Sequence, residues 1–161
     1  MRKLLLVGLW IGMACPLLRA QEQKQDAGAN INAYIEMLRS DVRTHKTALI
    51  GQAIPMTDKE SAAFWPVYRK YDAEMAKLGD ERLTIIKDYA AHYDKMNDEK
   101  ARELGNRTLA WEEKRVKLKK QYFEEFNKVL PAMKAAKLIQ FESRINLLID
   151  LQIASEVPPM L

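Results

Sequence analysis

The chain has 161 residues, and its 26 lysines and arginines outnumber its 22 acidic residues, which gives a formal net charge of +4. Cys15 is the only cysteine, so an intramolecular disulfide framework is excluded. The length is ample for one domain and short for two.

The first twenty residues have the pattern of an export signal. Two basic residues, Arg2 and Lys3, precede an apolar run from Leu4 to Met13. That run is about half of the roughly 20 residues that a membrane-spanning helix needs. Residues 1–20 are therefore predicted to be a cleaved signal peptide, and the protein is predicted to be periplasmic. A lipoprotein anchored through Cys15 is the alternative.

Loss of this signal changes the charge balance of the chain. Three basic residues and no acidic residue lie in it, so the net charge falls from +4 to +1. The alkaline isoelectric point is therefore largely a property of the signal. It gives no indication of nucleic-acid binding, which requires a clustered basic face.

Beyond a polar leader, apolar residues recur at three- and four-residue steps, which is the period of amphipathic helices. The predicted organisation is a leader over 21–30, a single domain over 31–156 with helices at 31–51, about 58–94, about 98–129 and from Pro131 onward, and a tail over 157–161. No stretch alternates with a period of two residues. The predicted fold class is all-α.

The second and third helices are long and have short junctions. At about 1.5 Å per residue each would span roughly 50 Å. Such helices form elongated antiparallel hairpins, a shape that favours a homodimer. Gly79 and Gly105 lie inside these helices, and the sequence leaves open whether the helices continue through them.

The apolar stripe of the third helix follows steps close to a heptad. Its members are Ala101, Leu104, Thr108, Trp111, Arg115, Leu118, Tyr122 and Val129, and Leu109, Val116, Phe123 and Leu130 widen it. The last helix is expected to bury some of Leu138, Phe141, Ile145, Leu148 and Ile149.

Several residues match the chemistry of helix starts. Thr57 is a good N-cap, and Glu60 three residues later completes a capping box. Asn97 is the expected N-cap of the third helix. Pro131, directly after Leu130, suits the first turn of the last helix.

The residues that catalysis commonly needs are scarce. Only His45 and His92 titrate near neutral pH, and the mature chain would have no cysteine nucleophile. There is no GxSxG motif and no glycine-rich phosphate loop. The protein is predicted not to be an enzyme and to carry no cofactor.

A metal site is the alternative chemical interpretation. Asp88, His92 and Met96 are spaced at four-residue steps, so the three donors share one helix face. Soft copper or zinc could use such a set. The other interpretation of His92 is a half-exposed helix residue.

Aromatic residues crowd around a proline inside the second helix. Pro66 removes an N–H, so the carbonyl of Ala62 loses its partner and the helix is expected to bend there. The candidate surface for an unfolded protein or another partner consists of Phe64, Trp65, Tyr68, Arg69 and Tyr71. The alternative is a kinked core segment, with Trp65 offset from the buried stripe by one residue.

The sequence "MTDKE", Met56–Glu60, resembles the LTxxQ motif of the Spy/CpxP group of bacterial envelope proteins. Thr57 is kept, while methionine replaces leucine and Glu60 replaces glutamine. "LPAMK", Leu130–Lys134, is a weaker echo that keeps only the leucine. More closely, most of Met56–Glu156 is similar to a group of small exported proteins that is mostly uncharacterised.

Resemblance to Spy implies a cradle-shaped, all-α dimer that acts as an ATP-independent chaperone. Resemblance to CpxP implies a stress-response adaptor bound to a sensor. The expected partners are therefore unfolded or envelope proteins, or a sensor. A metal-responsive sensor domain and a purely structural envelope component are the alternatives that remain open.

Overall fold

The structure is a computed structural model that describes residues 45–156, and within that range the chain is helical with short connections and no strand. Helix α1 covers 45–53 of this range, α2 is Asp58–His92, a 3-10 turn covers Tyr93–Lys95, α3 is Asp98–Val129 and α4 is Ala132–Glu156. The predicted all-α class is confirmed. The proposed signal with Cys15, the leader, the start of the first helix and the tail lie outside the described residues.

Helices α2 and α3 form an antiparallel hairpin. Their 35 and 32 residues correspond to about 50 Å each. The Trp111 indole donates to the carbonyl of Leu78 at 2.8 Å, and the Tyr122 hydroxyl donates to Glu74 at 2.8 Å. Both helices continue without a break through the two glycines at 79 and 105.

Helix α4 packs along the hairpin in the same direction as α2. Near its start Lys134 pairs with Glu60 at 2.7 Å, and about two turns later Glu142 accepts a hydrogen bond from Tyr68. Helix α1 lies against both, because Lys46 contacts carboxylates of α2 and α4. The four helices thus meet around Glu142 and its partners.

The helix starts follow the predicted capping chemistry. The Glu60 amide donates to the Thr57 hydroxyl at 3.3 Å, and the Thr57 amide donates to the Glu60 carboxylate at 2.7 Å. Asn97 accepts from the amide of Lys100 at 2.9 Å. Leu130 ends α3 as a buried residue, and Pro131 lies immediately before α4. The caps predicted at Thr57, Glu60 and Asn97 are confirmed, whereas Pro131, predicted in the first turn of the last helix, directly precedes that helix.

Two core clusters of unequal size hold the hairpin together. The main cluster lies at the end of the hairpin where α1 connects to α2 and α3 connects to α4. It contains Ile50, Ile54, Phe64, Tyr68, Tyr71, Leu118, Tyr122, Phe126, Leu130, Ala135 and Leu138. The tip cluster, near the 3-10 turn, contains Ile85, Tyr89, Leu104 and Trp111. Leu78 packs against both clusters.

The predicted buried stripe of α3 is right along most of its centre and too wide at its edge. Leu104, Trp111, Leu118 and Tyr122 are buried, whereas Thr108 in the middle of the stripe and Leu109 and Val116 at its edge are exposed. Leu148 of α4, named as a possible core residue, is exposed as well. A helix that contacts neighbours on one side covers only a narrow stripe, so apolar residues at its margin stay accessible.

None of the helices in the described range has an apolar run long enough to cross a membrane.

Candidate functional site

Three of the predicted surface aromatics lie inside the main cluster. Phe64, Tyr68 and Tyr71 are buried, and the Phe64 and Tyr71 rings lie 5.8 and 5.7 Å from that of Phe126. Their packing corresponds to the alternative of a core segment. Contact with a partner through these three side chains would require the helices to separate.

Trp65 and Arg69 occupy the outer side of the same segment. Trp65 is half-buried, and its indole N–H donates to the Ser61 hydroxyl at 3.0 Å. Arg69 is exposed, as is Pro66, which α2 accommodates within its continuous length. These two side chains are the part of the predicted surface that remains accessible.

A buried carboxylate lies beneath the aromatic segment. Glu142 of α4 is only 1% exposed, and it accepts hydrogen bonds from the hydroxyls of Tyr68 at 2.8 Å and Tyr71 at 3.5 Å. Lys46 of α1 lies 3.1 Å from Glu142 and 3.0 Å from Asp72. This polar cluster of five residues ties α1, α2 and α4 together.

The cluster changes the ionisation of its tyrosines. Burial raises the pKa of Tyr68 and of Tyr71, and the negative charge of Glu142 raises both further. Both phenols therefore stay protonated and act as donors to the carboxylate. Sequence reasoning missed Glu142, although its spacing of four from Leu138 and three from Ile145 puts it in the apolar stripe of α4.

A second polar cluster surrounds Trp111. The guanidinium groups of Arg82 and Arg115 lie 4.9 and 4.5 Å from the ring of Trp111, within the range of cation–π contact. Both arginines pair with Asp150 of α4, at 3.0 Å in the case of Arg115. The predicted stripe contained Trp111 and Arg115 but gave no sign of Asp150 as their shared partner.

The proposed metal donors lie in a network of charged side chains. Asp88 contacts His92 at 3.0 Å and Lys100 at 2.9 Å, and it also pairs with Arg107. Hydrogen bonds from Lys100 and then Arg107 lower the pKa of Asp88. A metal ion would have to displace these two cations.

Met96, the third proposed donor, packs against the tip cluster. In the described part of the chain, no three or more His, Cys, Asp or Glu side chains group as ligands for a metal. Because that set does not include methionine, metal binding by Asp88, His92 and Met96 stays a prediction, which zinc and copper titration of the His92→Ala variant would test.

Five large aliphatic side chains form an exposed aliphatic surface on α3 and α4. They are Leu109, Val116, Leu147, Leu148 and Leu151, each between 51% and 67% exposed. The pairs Arg115–Asp150 at 3.0 Å and Lys119–Ser143 at 3.3 Å join the two helices along this part of their length. By helical spacing Val116 and Leu147 lie beside this seam between the helices, and Leu151 and Leu148 continue from Leu147 over the exposed face of α4.

The comparisons with known proteins return no match: no protein-family model, no curated protein and no solved structure is similar to this chain.

Proposed function

We propose that the protein is a non-enzymatic periplasmic binding protein of the Spy/CpxP type, which holds unfolded or other envelope proteins without ATP. The exposed aliphatic surface is the observation that carries this proposal. Single exposed apolar residues are common on soluble proteins, but a group of neighbouring ones is typical of interaction sites.

The composition of the surface suits a partner without a defined sequence. Burial of its aliphatic side chains against any apolar segment lowers the free energy of the complex, since the hydrophobic effect is non-directional. Neighbouring charges such as Arg144 and Lys120 keep the same face solvated when it is empty. An unfolded chain offers the apolar segments that this surface would cover.

An adaptor that binds a folded sensor is the second form of this proposal. Trp65 and Arg69 favour it, because an exposed arginine beside an accessible indole is a common composition of specific protein interfaces. We propose a homodimer for either form, and multi-angle light scattering of the purified protein would test that expectation.

The test is the aggregation of a chemically unfolded model protein, followed by light scattering without ATP. We expect suppression near an equimolar ratio. The double variant Leu147→Asn/Leu151→Asn should require several-fold more protein for the same effect, because it removes two leucines from the aliphatic surface. Met133→Asn is the matched control, since Met133 is an 80% exposed residue of α4 far from the seam.

Two results would contradict the proposal in different ways. Equal suppression by the double variant and the unmodified protein would exclude the aliphatic surface as the binding site. An absence of suppression by the unmodified protein would exclude the chaperone form and leave the adaptor form, with Trp65→Ala as the first variant for partner capture.

A further inference from the structure

A groove lies between α2 and α3 and shares no lining residue with the aliphatic surface. It has a volume of about 360 Å³ and is lined by Glu74, Lys77, Leu78, Glu81, Lys114, Lys117, Leu118 and Gln121. We call it the lysine groove. Its volume is at the lower end of the range for small-molecule sites, about 300–1,000 Å³.

The lysine groove combines an apolar floor with a positive excess of charge. Leu78 and Leu118 are partly or fully buried, whereas the surrounding side chains are polar. Three lysines face two glutamates, so the lining carries a net charge of +1. A ligand with an apolar body and a negative group would complement both properties.

Both glutamates of the groove already have donors. Glu74 accepts a hydrogen bond from Tyr122 at 2.8 Å, and Glu81 pairs with Lys114 at 2.6 Å. Lys77 and Lys117 form no ion pair with any described carboxylate. Two ammonium groups at the groove, one on each helix, are thus without a described carboxylate partner.

We propose that the lysine groove binds a small amphipathic carboxylate, of the chemical class of a medium-chain alkanoate. Its carboxylate would contact the ammonium groups of Lys77 and Lys117, and its alkyl chain would cover Leu78 and Leu118. Each methylene removed from water strengthens binding, so affinity should rise with chain length until the groove is filled. The inference does not depend on the chaperone proposal, because the two surfaces share no residue.

Isothermal titration calorimetry of the purified protein with decanoate tests the proposal. We expect saturable binding that is weaker for hexanoate and for decanol, which lacks the charge. The double variant Lys77→Met/Lys117→Met should bind decanoate about tenfold more weakly, the change that corresponds to 1.4 kcal/mol. Lys120→Met, three residues from Lys117 and outside the groove, should bind decanoate as the unmodified protein does.

Further variants and ligands distinguish binding in the lysine groove from binding elsewhere on the protein. Leu147→Asn/Leu151→Asn should bind decanoate normally, since those leucines lie outside the groove. Equal affinity of decanoate for the double lysine variant, or of decanol for the unmodified protein, would overturn the proposal. Binding of an acidic, leucine-containing peptide in the absence of decanoate binding would overturn it in favour of a peptide site. Circular dichroism would establish that each variant is folded.

Discussion

Glu142 and Lys46 depend on each other unequally. Lys46 contacts two carboxylates, at 3.0 Å from Asp72 and 3.1 Å from Glu142. Glu142, in contrast, has Lys46 as its one ion-pair partner among the described residues. A buried charge that loses its partner retains the cost of desolvation without the compensating attraction. The two members of the pair should therefore respond differently to substitution.

We expect Lys46→Met to lower the free energy of unfolding by about 3 kcal/mol, because it leaves the Glu142 carboxylate buried without a cation. Glu142→Gln should cost less. The amide oxygen can still accept the hydrogen bond from Tyr68, its NH2 group can donate to the Tyr71 hydroxyl, and Lys46 keeps Asp72. Urea denaturation of both variants measures the difference, and the double variant should be more stable than Lys46→Met alone. Equal losses in the two single variants would contradict this account.

Contacts between residues close in the chain could be predicted from the sequence, whereas the long-range contacts of Glu142 could not. Thr57 and Glu60 were predicted because the two residues of a capping box lie three apart, and Asn97 because asparagine is a favoured N-cap. The partners of Glu142 lie 71 to 96 residues away in the chain, on two other helices. Spacing alone places Glu142 on the apolar stripe of α4, but it does not say which cation or hydroxyl meets it.

Among the helices, α3 contains an avoidable source of instability. Gly105 lies in its interior, and a Cβ added there would have no neighbouring atom within 4 Å. Glycine costs up to about 1 kcal/mol relative to alanine inside a helix, because its backbone loses more conformational freedom on folding. Nothing in the packing around Gly105 requires its small size.

We expect Gly105→Ala to raise the free energy of unfolding by about 1 kcal/mol and the melting temperature by roughly 4 °C. Thermal denaturation followed by circular dichroism measures it. Ala110→Gly is the mirror control, because Ala110 is an exposed residue of the same helix and its replacement should lower stability by a similar amount. A Gly105→Ala variant that is less stable than the parent would show that α3 needs the glycine.

The predictions for the helices were right where they depended on the period of the sequence and wrong where they depended on the neighbours of a helix. Helix positions followed from period and capping, and the third helix was predicted over the residues that it occupies. The exposure of Leu109 and Val116 was not predicted, because the width of a buried stripe depends on how many neighbours a helix has. That number is a property of the tertiary arrangement.

On the scale of the whole molecule, buried phenols couple stability to alkaline pH. Burial raises the pKa of Tyr68 and Tyr71 above the ordinary value near 10, and burial with the hydrogen bond to Glu74 raises the pKa of Tyr122 to about 12. In the unfolded chain these phenols ionise near pH 10. Above that pH the unfolded state binds fewer protons than the folded state, so stability falls as pH rises.

We expect the free energy of unfolding to be insensitive to these tyrosines below about pH 9 and to fall above pH 10, by about 1.4 kcal/mol per pH unit for each one. Urea denaturation at a series of pH values would measure the slope, and Tyr68→Phe should make it shallower by one tyrosine. Phenolate absorbance from all six tyrosines at a pH where the helical circular dichroism is intact would contradict this prediction.

The unequal size of the two core clusters implies that the hairpin does not come apart uniformly. Separation of α2 from α3 at the 3-10 turn disrupts four buried side chains and the Asp88 ion pairs, whereas separation at the other end disrupts the whole main cluster. Local unfolding should therefore start at the tip and stop near Leu78, which packs against both clusters. The backbone amides of Ile85 and Leu104 would exchange with solvent sooner than those of Tyr71 and Phe126, so one continuous pair of helices would behave as two units of different stability.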